Sequence, residues 1–195
     1  MLATGVVDDL SLIPGMEECY GQSVFHCPYC DGWDWRDRRL AAFGTGQAVA
    51  GLALGLKTWS PDVVACTNGA PLARGLRERL ERNGIAFRGE RLERLNHSDG
   101  LLQSIVFAAG EDRPCDAFFF SSSQHPQAPL AASLGCRLTA RGVVNTGPQC
   151  NTNIPGVFVA GDASRDAQFA IVAAAEGVKA AVAINRTLQH EDLKP

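Results

Sequence analysis

The 195-residue sequence contains no run approaching the ~18 consecutive apolar residues of a membrane-spanning helix. It also lacks a basic N-terminal region followed by an apolar core and a small-residue cleavage site, so a cytoplasmic location is expected. Positive charge is not in excess. A net charge of −3 gives no electrostatic reason to bind nucleic acid. With 46% hydrophobic and 20% charged residues, the composition argues against disorder, a fibrous repeat or a disulfide-dense scaffold. A second closely spaced cysteine pair is missing too. Of seven cysteines, Cys19, Cys66, Cys115, Cys136 and Cys150 stand alone, whereas a structural zinc site needs about four ligands and usually a second Cys/His pair. An odd number of cysteines with one tight pair suits a reducing compartment better than a secreted framework.

The tight pair is Cys27-Pro28-Tyr29-Cys30-Asp31-Gly32, two thiols two residues apart with a carboxylate directly behind the second. Cysteines at this spacing can close a small disulfide ring, and one thiolate can be stabilised by its neighbour or by a helix N-terminus. Asp31 is placed to handle the proton. Half of a zinc knuckle and a pair of buried structural thiols are the alternatives; the isolation of the other cysteines counts against the zinc knuckle, and redox exchange is the preferred reading.

At the start, Leu2-Ala3-Thr4-Gly5 reads as the end of a strand running into a tight turn, or as a frayed terminus. Asp8–Pro14 is a polar connector, Glu17–Ser23 a short link, and a domain boundary near Tyr20 is expected. After the cysteine pair, Leu40-Ala41-Ala42-Phe43 is an apolar run of buried-strand type. It leads into Gly44-Thr45-Gly46 and an apolar helix that ends before Ser60-Pro61, and Val63-Val64-Ala65-Cys66 is the next strand. In a strand–turn–helix–strand unit, a Gly-x-Gly turn lets backbone amides and a helix N-terminus approach a pyrophosphate. A plain tight turn is the alternative. Val49 holds the third glycine position, and Thr67-Asn68-Gly69 stands where an acidic residue would take a ribose hydroxyl. Arg74 and Arg77 can meet a 2′-phosphate or form a solvated helix face.

Leu72, Leu76 and Leu80 mark the buried face of a helix ending at Asn83-Gly84. Leu92–Leu95, Leu101–Phe107 and Ala117–Phe120 read as a small antiparallel meander, while His97 and His125 read as exposed loop residues. Near the C-terminus, Asn153-Ile154-Pro155-Gly156 leads into a buried strand, Val157–Ala160, which ends at Gly161-Asp162. Asp162 is either a ligand for a sugar-like polyol at a strand end or the N-cap of the Ala-rich helix expected over Phe169–Leu188. Lys194-Pro195 reads as a frayed end. The fold class expected is α/β, a doubly wound, Rossmann-like nucleotide-binding domain with a partial second domain.

Together these motifs resemble the low-molecular-weight thioredoxin reductase family of the pyridine nucleotide-disulfide oxidoreductases. Ala3-Thr4-Gly5, Cys27-x-x-Cys30-Asp31-Gly32, Gly44-x-Gly46 and Ile154-Pro155-Gly156-Val157-Phe158-x-Ala160-Gly161-Asp162 stand in the family's order and at about its spacing. The resemblance implies an NAD(P)H-binding domain over 23–120, inserted into an FAD domain represented by a remnant and linker at 1–22 and by 121–195. The N-terminal, ADP-binding half of the FAD domain has no counterpart. By resemblance, Cys30 lies nearest the flavin, Cys27 attacks the partner disulfide, and Asp31 gives and takes the proton. Gly44, Gly46 and Gln47 face the nucleotide. Gly161 and Asp162 hold the ribityl chain, with Gln168, Phe169 and Ala170 beside the isoalloxazine ring. The implied cofactors are FAD and NADPH or NADH. The implied partner is a thioredoxin-like protein or a small-molecule disulfide, with the chain either a homodimer or associated with another chain that supplies the missing half. Pro28-Tyr29 and Gly32-Trp33 are closer to a branch that includes FAD-dependent small-molecule dithiol oxidases, in which electrons run the other way. A nucleotide-binding or interaction module without catalysis is the remaining alternative.

Overall fold

The computed structural model describes residues 1–10, 13–121, 123–127, 129–140, 142–164 and 167–193. The chain divides into two compact units, one of Met1–Asp9 with Ser123–Pro195 and one of Leu10–Ser122. The boundary expected near Tyr20 thus falls earlier, at Asp9/Leu10. The reason is packing: Ile13, Met16 and Cys19 are buried in the core of the larger unit and do not form a link.

In the smaller unit, strand β1 (Val6–Asp8) pairs antiparallel with β10 (Gln124–Pro126). His125 is exposed there and pairs with Asp9 at 2.8 Å. A short helix α5 (Leu130–Ser133) and the long helix α6 (Ala170–Asp192) complete the unit. Leu2 forms a parallel bridge with Val159, its N–H donating to the Phe158 carbonyl and its own carbonyl accepting from Ala160. The expected strand Val157–Ala160 makes only such single bridges and no continuous ladder. The expected frayed end, Lys194-Pro195, lies outside the described residues.

The larger unit carries helix α1 (Met16–Cys19), β2 (Val24–Phe25), helix α2 (Pro28–Asp31), β3 (Leu40–Phe43) and helix α3 (Gly46–Leu56). It continues through β4 (Val63–Cys66), helix α4 (Arg74–Arg82), β5 (Ala86–Arg88), β6 (Leu92–Ser98), β7 (Leu101–Phe107), β8 (Arg113–Pro114) and β9 (Ala117–Phe120). Five strands make a parallel sheet in the order β2-β9-β3-β4-β5. Side chains alternate between its faces. Leu40, Ala42, Val63, Ala65, Ala117 and Phe119 pack with α3 and α4, whereas Ala41, Phe43, Val64, Cys66, Phe118 and Phe120 pack with β6 and β7. This two-sided burial is why the strands read as continuous apolar runs.

β9 corrects the meander reading. Ala117–Phe120 lies in the middle of the parallel sheet, between β2 and β3, because four buried consecutive residues need cover on both faces. The antiparallel sheet is instead β6-β7-β8, and His97 lies within β6, half-buried, where its Nδ1 accepts the Gly100 N–H at 3.4 Å. Phe118 is fully buried with its ring 5.3 Å from that of Phe43. Phe118→Ala is expected to lower unfolding free energy by about 3–5 kcal/mol, read as a shifted denaturant midpoint. A shift equivalent to under about 1 kcal/mol contradicts this packing.

Candidate functional site

The dithiol sits where β2 leaves the sheet. Cys27 has extended backbone (φ −114°, ψ 106°) and N-caps α2, with Pro28 preset in the first turn. Its Sγ accepts the Cys30 N–H at 3.2 Å, and the two cysteines form a disulfide with Cα atoms 5.4 Å apart. Cys30 and Tyr29 are exposed, whereas Cys27 is half-buried. Gly32 must lack a side chain, since a Cβ there would meet the Pro28 carbonyl oxygen at 2.3 Å and the Trp59 ring at 2.5 Å. Trp33 is exposed, edge-on to Trp59 and covered by the Arg36 guanidinium at 4.3 Å.

Burial pushes the Asp31 carboxyl above the ordinary 3.8; the His26 charge opposes the rise and Asp34 adds to it. A raised carboxyl is suited to giving and taking a proton nearer neutrality. Because the fold favours the neutral form, its contribution to stability is complete below 3.8 and is lost as pH rises through the folded value. Asp31→Asn removes that loss. The stability of the variant relative to the native chain is therefore expected to climb through the acid range and then level off, in denaturant midpoints taken across pH. A flat difference contradicts it.

The other cysteines do not join the pair. Cys19, Cys66, Cys115, Cys136 and Cys150 are buried and outside the disulfide, and burial pushes the Cys66 thiol up to about 12 and raises Cys19 and Cys115 as well. Among the described residues, no group of three or more His, Cys, Asp or Glu is placed to hold a metal ion.

The second feature is the turn between β3 and α3. Gly44 (φ +153°) and Gly46 (φ +54°) both adopt backbone that L side chains seldom take, and a Cβ on Gly46 would meet nothing within 4 Å. Thr45 caps α3 without a side-chain hydrogen bond, which leaves the helix's first N–H groups to an outside acceptor. Gln47 is exposed beside them, and Val49 in the third glycine position is a fully buried core residue. The chain goes from β3 to β4 on one side and reaches β9 on the other, so this turn lies at the switch point of the sheet, where ligands of open α/β sheets bind. Since β2, β9 and β3 run parallel, the dithiol and the glycine turn leave the sheet at the same carboxyl edge, and α2 packs against α3.

Beyond β4, Thr67 is buried with an unpartnered Oγ1, and Asn68 (φ +50°) accepts the Leu92 N–H at 2.7 Å. Arg74 and Arg77 are paired along their own helix with Glu78 and Glu81 at 2.7 and 3.0 Å. That places them on the solvated helix face, the blander of their two readings.

The third feature lies in the smaller unit. Gly161–Ala163 forms a single 3₁₀ turn, with Gly161 at φ +75°. Asp162 is half-exposed in an open depression of about 230 Å³ that Ala3, Gly5, Ala173 and Gly177 also line. The N-cap of α6 is Phe169, so the capping role considered for Asp162 is ruled out. Gln168 and the N-cap Phe169 lead into α6, whose first residue is Ala170.

The residue that sequence reasoning missed is Glu176. It is buried at 5% exposure on α6, its Oε2 accepting the Gly161 N–H at 2.7 Å and the Ser164 hydroxyl at 3.1 Å. The signal was present: positions 176, 180 and 183 share one helical face, and Ala180 and Ala183 on that face are core residues.

The profile of the family described as pyridine nucleotide-disulphide oxidoreductase matches residues 1–177. A probable thioredoxin reductase of Arthroderma benhamiae is 26% identical over 98% of this chain and 54% of its own length. A crystal structure of a putative thioredoxin reductase TrxB from Bacillus anthracis superposes with TM-score 0.89 at 29% identity, over 98% of this chain and 64% of that one. The crystal structure of HlmI gives TM-score 0.91 at 31% identity, over 98% and 60%. The chain thus spans about half to two-thirds of the length of these relatives. Among the described residues, no helix is long and apolar enough to cross a membrane. Its α/β fold and its match over residues 1–177 place the chain in the pyridine nucleotide-disulphide oxidoreductase family, as a thioredoxin reductase-like member.

Proposed function

We propose that the chain is the redox-active part of a flavin-dependent disulfide oxidoreductase of the thioredoxin reductase type, its Cys27–Cys30 pair passing electrons to a partner disulfide. The observation that carries this reading is the paired placement at one sheet edge of an exposed disulfide, backed by a carboxyl with a raised pKa, and an open glycine turn at a helix N-terminus. The partner is a thioredoxin-like protein or a small-molecule disulfide, in a cytoplasmic setting.

The residues fit the implied cofactors. Gly46 and Gln47 would receive the pyrophosphate of NADPH or NADH at the uncapped start of α3, with open space at Gly46, while Gly44, whose own N–H donates to the Cys66 carbonyl at 3.2 Å, would shape the turn. Asp162 would hold the ribityl chain of FAD, with Gln168, Phe169 and Ala170 by its ring, and Glu176 fixes the turn that carries Asp162. When bound, the nicotinamide and the flavin supply the two electrons that open the disulfide. Within the chain, the Cys30 N–H stabilises the Cys27 thiolate, which favours Cys27 as the attacking sulfur although Cys30 is the more exposed residue. Asp31 then holds or releases the proton at the sulfurs.

The test is an anaerobic count of exposed thiols. Two new thiols per chain are expected with FAD and NADPH or NADH together, and none with either alone; no new thiols under any combination rejects the reading. The exposed Tyr29 and Trp33 rings beside Cys30, at 77% and 61%, favour one second reading, a small-molecule dithiol oxidase. That reading predicts reoxidation of a dithiol substrate by oxygen without a nicotinamide requirement.

A further inference from the structure

Reducing a disulfide takes two electrons and two protons, and Asp31 holds one proton at a time. A second acid–base group near the sulfurs would let the second step proceed without waiting for Asp31 to be reprotonated. His26 follows β2 directly and precedes Cys27 in the chain. Its Nδ1 lies 3.4 Å from the Tyr20 hydroxyl, and the Tyr20 ring packs edge-on against Phe120 with centroids 6.0 Å apart. The imidazole is anchored on one side and exposed on the other, where it can exchange protons with water. Its charge also acts on Asp31, against the effect of burial. The titratable groups on the elements around it are Tyr20, with Glu17, Glu18 and Cys19 on α1; Asp31 and the two thiols at α2; and Asp34 in the turn that follows.

We infer that His26 is the second proton carrier of the dithiol site, serving the partner's leaving thiolates together with Asp31. The inference rests on the reading that the pair exchanges with a disulfide, and it deepens that reading. In the exchange, the Cys27 thiolate attacks one sulfur of the partner R–S–S–R′, the S–S bond breaks, and R′–S⁻ leaves and takes a proton. The Cys30 thiolate then attacks the Cys27 sulfur of the mixed disulfide; the Cys27–Cys30 bond forms, and R–S⁻ leaves and takes the second proton. Two electrons pass from the protein dithiol to the partner. The two protons given up by the Cys27 and Cys30 thiols end on the two leaving thiolates, one by way of Asp31 and one by way of His26. An imidazole suits the task because one ring nitrogen can hold a proton while the other is hydrogen-bonded.

The experiment uses the reduced chain and two probe disulfides, with no flavin or nucleotide. Bis(2-hydroxyethyl) disulfide releases an alkyl thiolate that must be protonated, whereas 5,5′-dithiobis(2-nitrobenzoate) releases an aryl thiolate that is stable without a proton. In His26→Asn the ratio of alkyl to aryl rate is expected to fall on the order of 10²-fold, and the alkyl rate to lose one step of its pH dependence. Tyr20→Phe, which keeps the ring against Phe120, is expected to lower the ratio less, in the same direction. An unchanged ratio, or a parallel fall of both rates as a merely structural role would give, overturns the inference. If the unmutated dithiol reacts with neither probe, the disulfide-exchange reading itself fails, and this inference with it.

Discussion

Cys30→Ser is expected to reduce turnover with a partner disulfide on the order of 10³-fold or more, while trapping the first half of the reaction. Cys27 can still attack and form a mixed disulfide, but no second thiol remains to resolve it. The adduct should accumulate at one per chain and appear as a mass increase equal to half of the probe disulfide. Cys27→Ser should lose turnover to the same extent without accumulating the adduct. The asymmetry follows from the Cys30 N–H that donates to the Cys27 sulfur and stabilises its thiolate. Trapping in Cys27→Ser and not in Cys30→Ser would reverse the assignment of the two sulfurs. The fold should survive both changes, because neither cysteine is buried and a serine at position 27 can still cap α2 with its side chain.

Gly46→Asp is expected to weaken NADPH or NADH binding about 10²-fold and leave stability nearly unchanged. The position has open space for a side chain, and aspartate tolerates left-handed backbone better than most residues. At the start of α3 a carboxylate even complements the helix dipole. It would, however, stand where the pyrophosphate is proposed to sit, and two like charges a few ångströms apart near a surface repel by about 3 kcal/mol, roughly 10²-fold in affinity. Calorimetric titration of the native chain and the variant checks this. Equal affinities would mean that the nucleotide binds elsewhere.

Much of this site could be read from the residues because its chemistry depends on spacing. Cys27 and Cys30 must be two residues apart to close their ring, and Gly44 and Gly46 must be glycines to turn as they do. The architecture was harder where cover decides the outcome. Ala117–Phe120 has the composition of any buried strand, and only the layers on both sides make it a central parallel strand and exclude it from a hairpin. The domain boundary was displaced for a related reason: Ile13, Met16 and Cys19 recur every third residue over too short a stretch for the pattern to stand out, yet all three are core residues. Glu176 was passed over because a charged residue in an alanine-rich helix is usually solvated. Its two hydrogen-bond donors, Gly161 and Ser164, come from 15 and 12 residues earlier in the chain. Gly32 carries a similar lesson, since its need for hydrogen in place of a side chain comes from Trp59.

The central claim is that Cys27 and Cys30 form one reversible two-electron centre. The most direct test is an anaerobic redox titration in dithiothreitol buffers, with thiols alkylated at each poise and the Cys27–Cys30 peptide weighed by mass spectrometry. The account predicts that both cysteines pass together from doubly alkylated to disulfide-linked in a single transition of about 30 mV per tenfold change in ratio. Cys19, Cys66, Cys115, Cys136 and Cys150 should remain thiols throughout, as their burial requires. A pair that stays reduced at every poise, or two cysteines that oxidise independently of each other, would contradict it.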